Sequence, residues 1–180
     1  MRHHVVTFTG ESFDPFDPDP EKIHIIDIAH QLAGTVRWHG ATNWTKDRPA
    51  ITVAEHSVRV AAECPHGCVL EGLLHDAAEA YLGDMPRPYR WRFPLFIAAE
   101  ERLRRVIATR FDAALLIPQA VQRADDRMCV TEFRDLVDAH SADWIEGLPD
   151  AEPFPELITP VTPFEAEVAF LAKFDSLRCR

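Results

Sequence analysis

Between Ile23 and Leu32 the apolar residues Ile25, Ile26, Ile28, Ala29 and Leu32 recur at helical spacing and predict a first helix. Ahead of it, residues 5–20 (VVTFTGESFDPFDPDP) combine β-favouring side chains with four acids and three prolines, a mixture that suits a short extended hairpin or arm. Residues 34–51 hold Gly, Asn and Pro with no sustained period and read as a loop. Thr52 and Glu55 then form a Thr-x-x-Glu capping box that opens a second helix running to about Glu63. After CPHGC, the set Leu70, Leu73, Leu74, Ala77, Ala78 and Tyr81 predicts one continuous third helix, stopped by Gly83 and the prolines at 86 and 88. Further helices are expected at about 95–112 and 118–138. A last one is opened by Thr162, Pro163 and Glu165.

These elements predict an all-α, irregular helical bundle with an N-terminal arm, in one domain spanning 1–180. Its parts are an arm at 1–20, a helical core at 21–140, and a Pro-rich connection with a final helix at 141–180. That connection is of the kind that can cover a site. A length of 180 residues is enough to bury one useful core. No apolar run approaches the roughly 18 residues that span a bilayer, and MRHHVVTFTG lacks the features of a secretory signal, so a cytoplasmic location with reduced cysteines is expected. The formal net charge of -10 argues against a long nucleic acid as partner, because polyanion binding draws its affinity from Lys and Arg. It leaves open a small anion held by a metal ion and a few local arginines.

The chemistry concentrates in four polar residues that interrupt apolar stripes. His56 lies between Val53 and Val60 on one face of the second helix and should point inward. Asp125 falls inside the stripe of Val121, Ala124, Met128 and Cys129, whereas Asp126 is rotated out beside Gln122 and Arg123. His75, Asp76 and Glu79 share an arc of about 100° on the third helix. A lone His-Asp pair of this sort is more often a solvated face, and a lone inward His a satisfied core residue. Two inward His and two inward Asp together remove one another's burial cost if they bind a common cation. Mixed imidazole and carboxylate ligands suit Mn, Co, Fe or Zn and leave positions open for water.

The segments AEHS, LLHDAAEAYLGD and ADDRMCVTE resemble the H…HD…D signature of HD-domain phosphohydrolases. The similarity runs from the arm through DIAHQLAG to Arg134 and is strongest to the small 5'-deoxynucleotidase-like branch and related phage dATP triphosphohydrolases. The resemblance implies an HD-domain bundle with one divalent metal on His56, His75, Asp76 and Asp125. It assigns catalysis to Glu79 and to Asp84 as a second acid, and substrate binding to Arg37 and Trp38, the Arg on phosphate and the indole against the sugar. Arg87, in the basic and aromatic loop DMPRPYRWRFP, is a further phosphate contact or part of a subunit contact. The implied reaction is hydrolysis of a (deoxy)nucleoside 5'-monophosphate by a metal-activated water. The alternative is release of tripolyphosphate from a deoxynucleoside triphosphate, with an additional Mg possible. A homo-oligomer, dimer or larger, is also implied. One departure is the run Trp38-His39-Gly40-Ala41-Thr42, where many relatives carry Gly-Gly-His-Thr or similar after the Arg and aromatic pair.

Other signals carry less. Cys64, His66 and Cys68 lack a second half-site at zinc-finger spacing. The run EERLRR at 100–105 is a solvated face with internal ion pairs. A di-iron oxygenase would need further His ligands, and none occurs between Asp76 and His140. A non-catalytic nucleotide sensor would have no need of Glu79 on the same stripe.

Overall fold

The computed structural model describes residues 4–138 and 147–178, except the side chains of Arg87 and Pro88. The arm is an antiparallel hairpin of two two-residue strands, β1 (Val5–Val6) and β2 (Ser12–Phe13). Helices follow as α1 (Ile25–Gly34), α2 (Val53–Glu63), α3 (Val69–Leu74), α4 (Glu79–Leu82), α5 (Arg87–Arg90), α6 (Pro94–Arg110), α7 (Gln119–Leu136) and α8 (Pro163–Arg178). The chain is thus mainly helical, as its periodicities predict.

Helix α2 is central and packs on α1, α3, α7 and α8. Its apolar face splits the interior in two. Val53, Ala54 and Ala61 face a large core with Phe13, Ile28, Leu32, Leu73, Leu103, Ile107 and Phe170. Val60 faces a smaller one with Ile51, Val121, Met128, Phe154 and Ile158. The close approach of α2 and α3 depends on Gly72: a Cβ there would sit 2.7 Å from Cys64 Sγ and 3.1 Å from Ala61 Cα, too near for any side chain.

Two expectations change. The third helix is not continuous. It breaks after Leu74 into a turn over 75–78, where i→i+3 bonds such as Ala77 N–H to Leu74 O (3.0 Å) and Glu79 N–H to Asp76 O (2.9 Å) tighten the backbone before α4 resumes. Its stop at Gly83, with φ of 80°, is as predicted. The capping box of α2 is half formed. Thr52 Oγ1 accepts from Glu55 N–H (3.2 Å), but the Glu55 carboxylate turns to Arg59 (2.7 Å) and to the Val161 N–H (3.1 Å) and ties α2 to the start of α8. The Thr162 box is complete, since Glu165 also accepts from Thr162 N–H at 2.8 Å.

Residues 147–162 of the connection run along α7 and close the smaller core. Arg134 donates to the Phe154 and Glu156 carbonyls, the Arg127 guanidinium lies 4.0 Å over the Phe154 ring, and Phe154 N–H donates to Thr131. The connection therefore braces α7 from behind. The boundary proposed at 140 lies outside the described residues.

Candidate metal centre

Three elements bring the four proposed ligands together. His56, on the first turns of α2, has no exposure, and His75 opens the turn after α3 with 8% exposed. His56 Nε2 lies 3.3 Å from His75 Nε2, 3.2 Å from Asp125 Oδ1 and 3.6 Å from Asp76 Oδ2. His75 Nε2 lies 3.1 Å from Asp76 Oδ2 and 3.9 Å from Asp125 Oδ1. Ligand bonds of about 2.1 Å set neighbouring donors about 3.0 Å apart in an octahedron and about 3.4 Å in a tetrahedron. The observed spacings bracket both, so the donor set fits a cation, and His56, His75 and Asp125 hold their ligand atoms within 4.8 Å of one another.

Both imidazoles are oriented to ligate. His56 Nδ1 lies 2.6 Å from Glu132 Oε1, and His75 Nδ1 lies 2.8 Å from the Gly72 carbonyl. A carboxylate or carbonyl only accepts, so each Nδ1 carries a hydrogen, and the lone pair that a cation would take is the one at Nε2, on the cluster side.

The electrostatics call for a cation. Among the protein groups alone, burial and the Arg37 charge work against a proton on His56. Glu132 and Asp125 outweigh them and hold it up at about 9. His75 is raised as well: its burial is overcome by Asp76 and Asp125. Burial would lift Asp76, but His75 and His56 hold it down at about 2, and Asp125 is lowered likewise against its own desolvation. Protons on imidazole stand in for the positive charge that these acids require. A divalent ion would replace them at the same atoms.

Glu79 borders this centre, 7% exposed, and among the described residues its Oε2 has no hydrogen-bond partner. Burial first, then the neighbouring Asp76 and Asp84 charges, raise it well above the ordinary carboxylate range. Asp84 is raised by burial, opposed by Arg37 and reinforced by Asp76, so it too lies within electrostatic reach of the cluster. Arg37 Nη1 is 3.6 Å from Asp76. Trp38 joins the site through its indole N–H, which donates to Glu132 at 2.8 Å. The side chain of Arg87 lies outside the described residues.

Glu132 was not singled out from sequence. Fully buried on α7, it accepts from three elements: Arg37 Nε at 2.9 Å, Trp38 Nε1 at 2.8 Å and His56 Nδ1 at 2.6 Å. Those partners hold it below its ordinary range against the desolvation that opposes them. A signal existed, because Glu132 follows Asp125 by seven residues, two helical turns, and so shares its face. The partners it receives stand on a strained turn. Trp38, His39 and Gly40 have φ of 56°, 50° and 72°, and left-handed backbone costs a non-glycine residue about 1–2 kcal/mol. The departure noted at Trp38-His39-Gly40 is thus where the backbone turns sharply at the site.

No family model matches the chain. It is 31% identical over 175 residues to the uncharacterized protein YfdR of Escherichia coli, across 96% of this chain and 94% of that one, so the likeness reaches into the last helix. It is also 36% identical over 153 residues to the uncharacterized protein RCAP_rcc00048 of Rhodobacter capsulatus, covering 80% of this chain and 74% of the other.

Proposed function

The chain belongs to the family that contains YfdR of Escherichia coli, and from its site we propose that it is a cytoplasmic, metal-dependent phosphohydrolase of the HD-domain type. Its proposed substrate is the 5'-phosphate ester of a (deoxy)nucleoside monophosphate. One observation carries the reading: His56, His75 and Asp125 hold ligand atoms within 4.8 Å of one another, with Asp76 3.1–3.6 Å from both imidazoles, beside a half-buried arginine and a buried carboxylate oxygen that has no hydrogen-bond partner among the described residues. A structural site needs neither of the last two.

His56, His75, Asp76 and Asp125 would hold the ion. When bound it supplies Lewis-acid polarisation and a water made acidic near neutrality. Arg37, fixed through Nε by Glu132, turns its Nη edge toward Asp76, where it can hold phosphoryl oxygens. Glu79 offers its unbonded Oε2 to the proton of the attacking water. Oxygen adds to phosphorus as the ester P–O bond breaks, and the proton leaves with the nucleoside oxygen, so phosphate and nucleoside are the products. Asp84, rimming the same cluster, would keep the substrate hydroxyls or a second cation in register.

The test is a hydrolysis screen of purified protein with Mn, Co, Zn or Mg against ribo- and deoxynucleoside mono- and triphosphates, reading orthophosphate and tripolyphosphate separately. Orthophosphate from monophosphates is expected. Glu79→Ala should lower kcat about 10²–10⁴-fold, the range for a positioned acid-base group, with the metal retained. Tripolyphosphate from one deoxynucleoside triphosphate would move the substrate assignment. No hydrolysis by metal-loaded protein would overturn the reading.

A further inference from the structure

We propose that Glu132 is a positioning residue that locks the two halves of the site together: it fixes His56 as a metal ligand with one oxygen and clamps the Arg37–Trp38 turn with the other. The phosphate half of this assignment rests on the function proposed above; the metal half stands on geometry alone.

The division of labour is visible in the two oxygens. Among the described residues Oε1 pairs with His56 Nδ1 alone, at 2.6 Å. Oε2 accepts from both Arg37 Nε and Trp38 Nε1, at 2.9 and 2.8 Å. The acceptor is sealed at its own end, because Glu132 and His56 have no exposure, while Arg37 and Trp38 reach it from half-buried positions. Packing alone does not require a carboxylate here. Three donors converging on one buried acceptor do, and each donor belongs to a residue of the proposed site.

The chemistry of a glutamine replacement follows from donor counting. Glu132→Gln keeps one acceptor oxygen, and Arg37 and Trp38 present two N–H groups that need it. The amide nitrogen then falls opposite His56 Nδ1. An amide NH₂ donates, so the imidazole must accept there and move its hydrogen to Nε2. That is the atom 3.2–3.6 Å from Asp125, Asp76 and His75 that a metal would need. One substitution of equal size would thus reverse the tautomer of a ligand without emptying any space. Trp38→Phe does the converse: it removes one donor to Oε2 and leaves the His56 contact alone.

The experiment is calorimetric titration of metal-stripped protein with Co²⁺, followed by inorganic phosphate titrated into the Co²⁺-saturated protein. Glu132→Gln is expected to bind Co²⁺ about 10–100-fold more weakly, the usual loss when a ligand's supporting partner is changed. Trp38→Phe should bind Co²⁺ within twofold of wild type while its phosphate affinity falls about 3–10-fold. Unaltered Co²⁺ affinity in a cooperatively unfolding Glu132→Gln protein would overturn the metal half. Unaltered phosphate affinity in Trp38→Phe would overturn the clamp. Neither titration depends on turnover, so failure of the nucleotide assignment in the hydrolysis screen is read separately.

Discussion

Asp27 and Glu132 are both carboxylates with no solvent exposure, yet they answer the cost of burial in opposite ways. Asp27, in the first turn of α1, accepts from the Thr9 N–H at 2.7 Å and the Thr9 hydroxyl at 3.0 Å, neutral donors within the arm it pins down. Glu132 accepts from a guanidinium, an indole and an imidazole of the candidate metal cluster. The first acid closes a local account: one hairpin, one helix start, two satisfied bonds. The second is connected outward to groups that still have unfilled chemistry. Burial of a charge is therefore not by itself a sign of function. What distinguishes the functional case is that its partners point onward into a cluster whose charges do not balance.

The sharpest way to break this contrast is to remove the charge imbalance. Asp125→Asn takes one acid from the cluster and leaves the volume unchanged. Bound metal should fall below detection by elemental analysis, and any nucleotide hydrolysis by more than about 10³-fold, in the range that loss of a principal catalytic group produces. Circular dichroism should still show the helical content of wild type, because Asp125 contributes ligand geometry and not core packing. Retention of stoichiometric metal in this variant would mean that Asp125 is not a ligand and that the metal is held without it.

The next effect is a dependence on pH that metal should erase. His56 is held at about 9 in the protein against 6.5 in an unfolded chain. A raised value stabilises the fold fully below about pH 6.5 and loses that stabilisation as pH climbs through 9. The loss is about 1.4 kcal/mol per pH unit across that window, on the order of 3 kcal/mol in all. Metal-stripped protein should accordingly melt at lower temperature at pH 8.5 than at pH 6.5. Metal competes with the proton, so its affinity should rise over the same window, and binding at pH 7.5 should release close to one proton in buffers of differing ionisation enthalpy. A melting temperature independent of pH in the stripped protein would show that His56 is neutral there.

Sequence and structure meet most closely where periodicity is strong. The positions of α1, α2, α7 and α8 follow from apolar spacing and capping residues, and Asp125 could be preferred to Asp126 because only the former interrupts the apolar stripe. His56 was legible for the same reason. The break over 75–78 was not, because Leu73, Leu74, Ala77 and Ala78 keep a helical period through it. Pattern records which side chains are buried and is blind to whether backbone bonds span three residues or four. Glu132 was missed for a related reason. Its role lies in donors reached across 76 and 95 residues of chain, on His56 and Arg37, and no local rule announces such a pairing. The left-handed turn at Trp38 and His39 was equally hidden, since neither residue favours positive φ and only the bonds around it hold it there.

The smallest effect tests the quiet half of the comparison. Asp27→Ala removes the acceptor of the Thr9 N–H and of one bond of its hydroxyl, at the part-buried contact where the arm meets α1. Thr9 is exposed and its donors can turn to water, so each lost bond costs about 0.5–1.5 kcal/mol, and for a chain of this length each kcal/mol lowers the melting temperature by about 2–4 °C. A fall of several degrees is therefore expected. Co²⁺ affinity should change less than twofold, because Asp27 belongs to the arm and α1 while the four ligands come from α2, the turn at 75–78 and α7. Any larger change would require the arm to transmit strain through α4, which α1 contacts directly and which carries Glu79 at its start. In that event the two buried acids would be parts of one mechanical unit, and the distinction between a closed local account and an outward-facing one would have to be abandoned for this fold.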